Sequence, residues 1–274
     1  MKLKDLQELQ PSFYPEVAAV AGGKPVGGTV YVSGSKIASI PIIAATILTE
    51  YPVELINLPI VEDVEVLLHL IRLMGGEVHQ DGNMTRISTA SLCPATPLPP
   101  HLIQAVHGTL YLLPVLLARF GHVRIARTYG GCRIGERPIA HIVAVLEQMG
   151  ARVDLAGEEI VAQARQFNGA SLSAQFSTEW DKFRSGATKT ALLVGVGARG
   201  VSVVEDAYQR ASITELAAFL RCLGADISGE GTSQLVIRGG SLQGGRFRIA
   251  GDYLEALTYL GLNPTIVSPG AIRI

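Results

Sequence analysis

Cysteine, aromatics, long apolar runs and any surplus of charge are all scarce in this chain, and each scarcity removes a class of protein. The three cysteines among 274 residues, Cys93, Cys132 and Cys222, are odd in number and far apart. They form no disulfide framework and suit a reducing compartment. Cys222 falls within an apolar helical pattern and is expected in the core, while Cys93 lies in a Pro/Thr-rich loop and is assigned no role. With 6% aromatic residues, a net charge of −1 and no lysine-rich run, the chain has neither the stacking platform nor the basic field of a nucleic-acid binder. The most apolar run, from Thr109 to Leu117, is interrupted by Pro114 and followed by Arg119. That is well short of the roughly 20 residues of a spanning helix, so no membrane segment is expected. The first eight residues carry acids and no apolar stretch, which reads as a cytoplasmic protein without a signal peptide. The histidines, at 69, 79, 101, 107, 122 and 141, never fall at zinc-site spacing, so neither a metal nor a cofactor is expected.

What the chain does have is a repeat. Ile71-Arg72-Leu73-Met74-Gly75-Gly76-Glu77-Val78, Leu146-Glu147-Gln148-Met149-Gly150-Ala151-Arg152-Val153 and Leu220-Arg221-Cys222-Leu223-Gly224-Ala225-Asp226-Ile227 share one pattern. Their first glycines are 75 and 74 residues apart. Each segment reads as the end of an amphipathic helix, a glycine stop and the start of a strand. Ahead of each lies an apolar helix (37–48, 102–118 and 187–196) and then a β-rich run at Val53, Val123 or Val201. Behind each lies a strand, a turn (Asp81-Gly82-Asn83, Ala156-Gly157-Glu158 or Gly229-Glu230-Gly231) and another strand. The unit is β-α-β-α-β-β, used three times. Because the first helix of each unit is apolar nearly all round, the three pack together inside with the sheets outside. The expected architecture is an α/β lobe of the inverse kind, with pseudo-threefold symmetry. The lobe spans 31–244, after an N-terminal segment 1–30 and before a tail 245–274 that reads as an incomplete fourth unit.

The repeat isolates one loop by subtraction. From Val53, Val123 and Val201 to the glycine stop is 22, 27 and 23 residues, and the surplus of the middle unit falls in Tyr129-Gly130-Gly131-Cys132-Arg133-Ile134-Gly135-Glu136-Arg137-Pro138. Packing gives no reason to lengthen one of three equivalent connections, whereas sites are built on loops. A thiol beside Arg133 and Arg137 has its thiolate favoured and can serve as acid or nucleophile toward an anion. Lys36, after Ser33-Gly34-Ser35, begins the first apolar helix, where free N–H groups and the dipole favour anions. It adds to that field or stands as a solvated first-turn lysine. Lys182 and Arg184, before Ser185-Gly186-Ala187-Thr188, hold the corresponding place in the third unit, and His107 in the second. Gly195-Val196-Gly197-Ala198-Arg199-Gly200 matches GxGxxG but follows a helix and precedes a strand, so it is a helix stop and not a nucleotide site.

These elements together resemble the enolpyruvyl transferases. The matching text is Gly34-Ser35-Lys36, Leu116 to Gly121, Gly130 to Pro138, Asp181-Lys182 with Gly186-Ala187-Thr188, and Leu223 to Thr232, over about residues 26 to 262. The cysteine loop points to the branch acting on a nucleotide sugar. The resemblance implies transfer of enolpyruvate from phosphoenolpyruvate to UDP-N-acetylglucosamine with phosphate release, a step of peptidoglycan precursor synthesis. It implies that Lys36 and Arg137 hold phosphoenolpyruvate and that Cys132 is the loop acid. It implies further that Lys182, with Gly186, Arg133, Arg184 and His107, lies at the nucleotide-sugar side. The sequence departs from the family pattern at Ile37, where an asparagine is usual, at His107 for an arginine, at Ala140 for an acid, and at Arg184-Ser185 for a serine-valine pair. Family enzymes have two such lobes with substrate between them, so a second subunit or self-association is expected to complete the site. The alternative is a non-catalytic one-lobe homologue that binds a nucleotide sugar or a partner protein.

Overall fold

The computed structural model describes residues 28–93, 96–127, 139–155, 157–175, 182–262 and 272–273. The chain divides into two compact units, Val32–Tyr253 and Met1–Tyr31 with Leu254–Ile274. In the smaller, β1 (Gly28–Thr29) pairs in parallel with β13 (Ile272–Arg273), and α8 (Tyr253–Leu262) contributes all but its first residue. On α8, Leu254, Leu257 and Leu260 recur every three residues, each about half exposed.

The larger unit holds the three repeats. In the first, α1 (Lys36–Ala45) runs on as a 3-10 turn and is followed by β2 (Val53–Ile56), α2 (Glu62–Leu73), β3 (Glu77–Asp81) and β4 (Met84–Ser88). In the second, α3 (Pro100–Ala105), a 3-10 turn His107–Tyr111 and α4 (Leu112–Phe120) precede β5 (His122–Ala126), α5 (Ala140–Gln148), β6 (Arg152–Asp154) and β7 (Glu159–Gln163). In the third, β8 (Ser171–Ser173) leads into α6 (Lys182–Gly195), β9 (Val201–Glu205), α7 (Ala211–Cys222), β10 (Asp226–Ser228) and β11 (Leu235–Arg238). The strand β12 (Gly245–Arg248) follows. The GxGxxG stretch is, as expected, the end of α6 and the turn into β9, with Gly200 at φ +87°.

Every residue of Ala38–Ala45 on α1, of Leu112–Leu117 on α4 and of Ala187–Val194 on α6 is buried. The strands alternate instead: Val53 and Leu55 of β2, Val123 and Ile125 of β5, and Ser202 and Val204 of β9 turn inward while their neighbours do not. Helices buried all round by sheets covered on one face is the inverse α/β arrangement expected from the repeat. Each fully buried aliphatic or aromatic side chain here, such as Ile42, Leu67 or Phe219, contributes about 1.5–3 kcal/mol relative to exposure.

The three glycine stops are built alike. Gly75, Gly150 and Gly224 have φ of +95°, +108° and +100°. In each case the following N–H, of Gly76, Ala151 or Ala225, donates to the carbonyl of Ile71, Leu146 or Leu220, which is the Schellman closure of a helix end. The carbonyl just before each glycine, on Met74, Met149 or Leu223, accepts from the chain returning after the hairpin, through the N–H of Cys93, Asn168 or Gln243. Each stop thus ends a helix and anchors the exit of its unit.

Sheet order repeats too, as β2-β4-β3, β5-β7-β6 and β9-β11-β10, antiparallel throughout. The strand leaving one unit joins the next: β8 pairs in parallel with β9, and β12 pairs in parallel with β2, closing the ring from the third unit to the first. The first strand of the tail that reads as an incomplete fourth unit is thus paired within the lobe. At the remaining junction no strand is formed among the described residues, and Pro97, Pro99 and Pro100 give the reason, since proline has no N–H for a ladder.

Two expectations need correction. The helix read over 102–118 is broken: Val106 is extended at φ −133°, and α4 restarts at Leu112 with Pro114 in its first turn, where the missing N–H costs nothing. Cys222 is exposed and not in the core. The buried residues of α7 are Ser212, Ile213, Leu216, Ala217, Phe219 and Leu220, and Cys222, the last residue of the helix, lies outside that set with its thiol donating to the Arg246 carbonyl at 3.3 Å. The Leu116 to Gly121 motif now has a physical content. Arg119 donates to the Ile47 carbonyl at 3.0 Å and to Thr89 Oγ1 at 2.9 Å, tying the second unit to the first, and Gly121 closes α4 in the left-handed region.

Alanine at each glycine stop should cost about 1–2 kcal/mol for the left-handed backbone alone. Gly75→Ala should cost the most, because its Cβ would meet the Ser91 carbonyl oxygen at 3.0 Å, and Gly224→Ala the least, with its nearest neighbour at 3.9 Å. Urea unfolding of the three variants checks both the size and the order.

Candidate functional site

The N-terminal ends of the inner helices gather most of the described side chains that sequence reasoning selected. Lys36 is the first residue of α1, behind Ser35 in extended conformation. The approach to it is tight: a Cβ on Gly34 would lie 1.8 Å from the Asn57 carbonyl oxygen, so only glycine passes there. The Lys36 ammonium pairs with Asp63 at 2.7 Å, in the first turn of α2, and remains 41% exposed. Its backbone N–H donates to Asp252 Oδ2 at 3.2 Å. The free amide expected to attract an external anion is thus covered by a carboxylate from 216 residues away. Nearby, burial raises the Glu215 carboxyl above its usual range and the Asp252 charge raises it further, against the Ala250 N–H that donates to it at 2.6 Å.

His107 begins the 3-10 turn ahead of α4, which packs close on α1: a Cβ on Gly108 would stand 2.6 Å from Ile40 Cγ2. Its charge bears on His141 of α5, the second residue of that helix. His141 is 9% exposed, stacks at 5.3 Å on Phe183 of α6, and covers Gly186 so closely that a Cβ there would meet its Nε2 at 2.2 Å. Gly186 is therefore a site of close approach to an imidazole. Burial, with the His107 charge behind it, lowers the His141 pKa to about 4, so the ring is neutral at pH 7 and offers hydrogen bonds without charge. Arg184 faces away from this meeting in one respect: its Nε donates to the Asp206 carbonyl at 2.8 Å, pinning α6 to the end of β9.

Deeper on α6 sits Lys189, 3% exposed, with its ammonium 5.7 Å from the centre of the Tyr111 ring. Burial lowers its pKa to about 8 and raises that of Tyr111, which stays a neutral phenol. Among the described residues no three metal-ligating side chains gather. A surface cavity of about 730 Å³ lies at the opposite ends of α4 and α5, lined by Gly121, Gly150, Arg152, Gln163, Arg165 and Asn168 among others, and none of the site residues borders it.

Of the residues selected from sequence, Lys36, His107, Arg184 and Gly186 are described, and Lys182 opens α6 without a described side chain. Cys132, Arg133 and Arg137 lie outside the described residues. Sequence reasoning missed Asp63, Asp252, Glu215, His141 and Lys189. Asp63 had a signal, as an acid in the first turn of a helix, whereas Asp252 and Lys189 acquire their meaning only from packing.

Because His141 has a folded pKa of about 4 against 6.5 when unfolded, it binds its proton more readily in the unfolded chain. Stability should hold above about pH 6.5 and fall by up to about 3 kcal/mol as pH drops toward 4. In His141→Gln that component should disappear, as read from urea midpoints across this pH range.

Comparison with solved structures agrees with this architecture. The enolpyruvyl transferase NikO from Streptomyces tendae superposes with a TM-score of 0.80 at 26% identity, over 92% of this chain and 58% of that one. An EPSP synthase from Acinetobacter baumannii shares the fold, with a TM-score of 0.70 at 19% identity over 92% of this chain and 56% of its own. In sequence the chain is 36% identical to the UDP-N-acetylglucosamine 1-carboxyvinyltransferase of Oleidesulfovibrio alaskensis, over 88% of its own length and 56% of the relative's. It is 37% identical to the protein of the same name from Acidobacterium capsulatum, over 88% and 55%. The chain thus spans about half the length of the curated relatives it matches. A family model matches residues 20–274, and the chain belongs to the EPSP synthase (3-phosphoshikimate 1-carboxyvinyltransferase) family.

Proposed function

We propose that this chain is one lobe of an enolpyruvyl transferase that moves enolpyruvate from phosphoenolpyruvate to UDP-N-acetylglucosamine and releases phosphate. The observation that carries this reading is its 36% identity, over 88% of its length, to relatives named for that reaction, joined to a lysine at the N-terminal end of a buried helix. Lys36 and Arg137 hold the phosphate and carboxylate of phosphoenolpyruvate, where fixed cations are worth most. Cys132 delivers a proton to C3, which makes C2 electrophilic; the sugar hydroxyl adds there, and loss of the C3 proton with expulsion of phosphate restores the double bond. Lys182, Gly186, Arg133, Arg184 and His107 face the nucleotide sugar. In this reading residues 1–30 and the chain from Leu254 onward belong to a second lobe, completed by self-association or a partner. The half-exposed row Leu254, Leu257 and Leu260 supports such a partner. No helix among the described residues is long and apolar enough to cross a membrane, and the reading assigns the chain to the cytoplasm.

A second reading, a lobe that binds without turnover, is favoured by one observation: Asp252 already occupies the amide at the start of α1. Phosphate release from phosphoenolpyruvate in the presence of UDP-N-acetylglucosamine separates the two. Transfer predicts release that drops by about 10²-fold or more in Cys132→Ala, as expected for loss of a general acid. Binding of either ligand with no release supports the second reading.

A further inference from the structure

Equivalent positions of the three units single out a second place on the lobe. Two residues after the glycine stops Gly75, Gly150 and Gly224 stand Glu77, Arg152 and Asp226, each exposed. The chain returning after each hairpin reaches its stop through Cys93, Asn168 or Gln243, and three residues before these stand Ala90, Arg165 and Gly240. The first and third units thus carry an acid and a small residue where the second carries two arginines. Attraction of a cation to a helix C-terminus does not explain the difference, because the other two helices end in the same closure and are followed by acids.

Neighbouring strands sharpen the contrast. In the third unit Asp226 is answered by Arg238, directly across the ladder at 3.2 Å. In the second the same row reads Arg152, Gln163 and His122, opposite one another on β6, β7 and β5, so the three share the outer face of the sheet, where all are exposed. Elsewhere on the strands Arg86 and Arg246 pair with Glu54, and Arg124 with Glu159. Arg152 and Arg165 make no ion pair.

Both arginines border the cavity of about 730 Å³ at the C-terminal ends of α4 and α5. Small-molecule sites run from about 300 to 1,000 Å³, so the space suits a metabolite. Among the described residues no aspartate or glutamate lines it, and the amides of Gln163, Gln166 and Asn168 add neutral donors. Guanidinium forks match the oxygens of a phosphoryl group.

We infer that this cavity is a binding site for a small phosphorylated molecule, held by Arg152 and Arg165. It is separate from the proposed substrate end, since the nine residues of α4 alone put about 13 Å between the cavity and the turn that holds His107.

The test is calorimetric titration of the 274-residue chain with inorganic pyrophosphate and with citrate, comparing wild type with Arg152→Asp and Arg165→Ala. About 0.15 M salt limits the reach of a surface charge to about 8 Å, so neither variant disturbs an anion at the Lys36 end. Each substitution is exposed and brings in the residue of an equivalent unit, so both variants should fold as wild type does. Pyrophosphate should bind wild type more tightly than citrate does, and each variant about tenfold or more weakly, the size expected for a lost charged hydrogen bond. Pyrophosphate held at the Lys36 end instead would titrate alike in all three proteins. That result overturns the inference, as does absence of binding by the wild-type chain. Citrate binding as tightly as pyrophosphate overturns the assignment to a phosphoryl group.

Discussion

Three helices with no solvent-facing side set the terms for everything else in this protein. A helix that is buried around its whole circumference cannot lie on a surface; it must be surrounded, and α1, α4 and α6 are each buried at every position over six to eight consecutive residues. Surrounding three such helices takes three sheets, each needing only one covered face. That is why the strands alternate while the helices do not. The ring of sheets then has to close, and it closes by passing a strand forward, β8 to the third sheet and β12 back to the first.

The same constraint decides where chemistry can happen. Helices sealed along their sides meet solvent at their ends, where unpaired N–H groups favour negative charge. Lys36, His107 and Gly186 all stand at such ends, and the arrangement is far from neutral. Asp63 and Asp252 hold Lys36 in place, His141 fills the space over Gly186 as an uncharged ring, and Lys189 lies buried on α6 with its ammonium over the Tyr111 ring. The helix end of the first unit is thus satisfied by carboxylates, one of them from beyond the third unit.

Much of the fold was legible because its signals are local. The glycines at 75, 150 and 224 must adopt positive φ for a helix to stop where the pattern stops, and the turns at Gly82, Gly157 and Gly229 follow the same logic. Lys36 could be placed at a helix start from the residues beside it. The helix over 102–118 misled because apolar periodicity does not register that Gly108 must lie against Ile40, a contact that favours a break ahead of it. Cys222 misled for a related reason: a thiol within an apolar run says nothing about which side of the run faces inward.

Sequence by itself determined the repeat, the inverse α/β class, the helix ends and the family, because these depend on residue type, spacing and backbone preference along contiguous stretches. Tertiary structure alone decided that β12 belongs to the first sheet, that Asp252 caps α1 from across the chain, that His141 is driven neutral, and that Lys189 is buried with its ammonium over Tyr111. Each of these depends on the distance between residues remote in sequence and on how much water their packing removes. Spacing along a chain carries neither quantity.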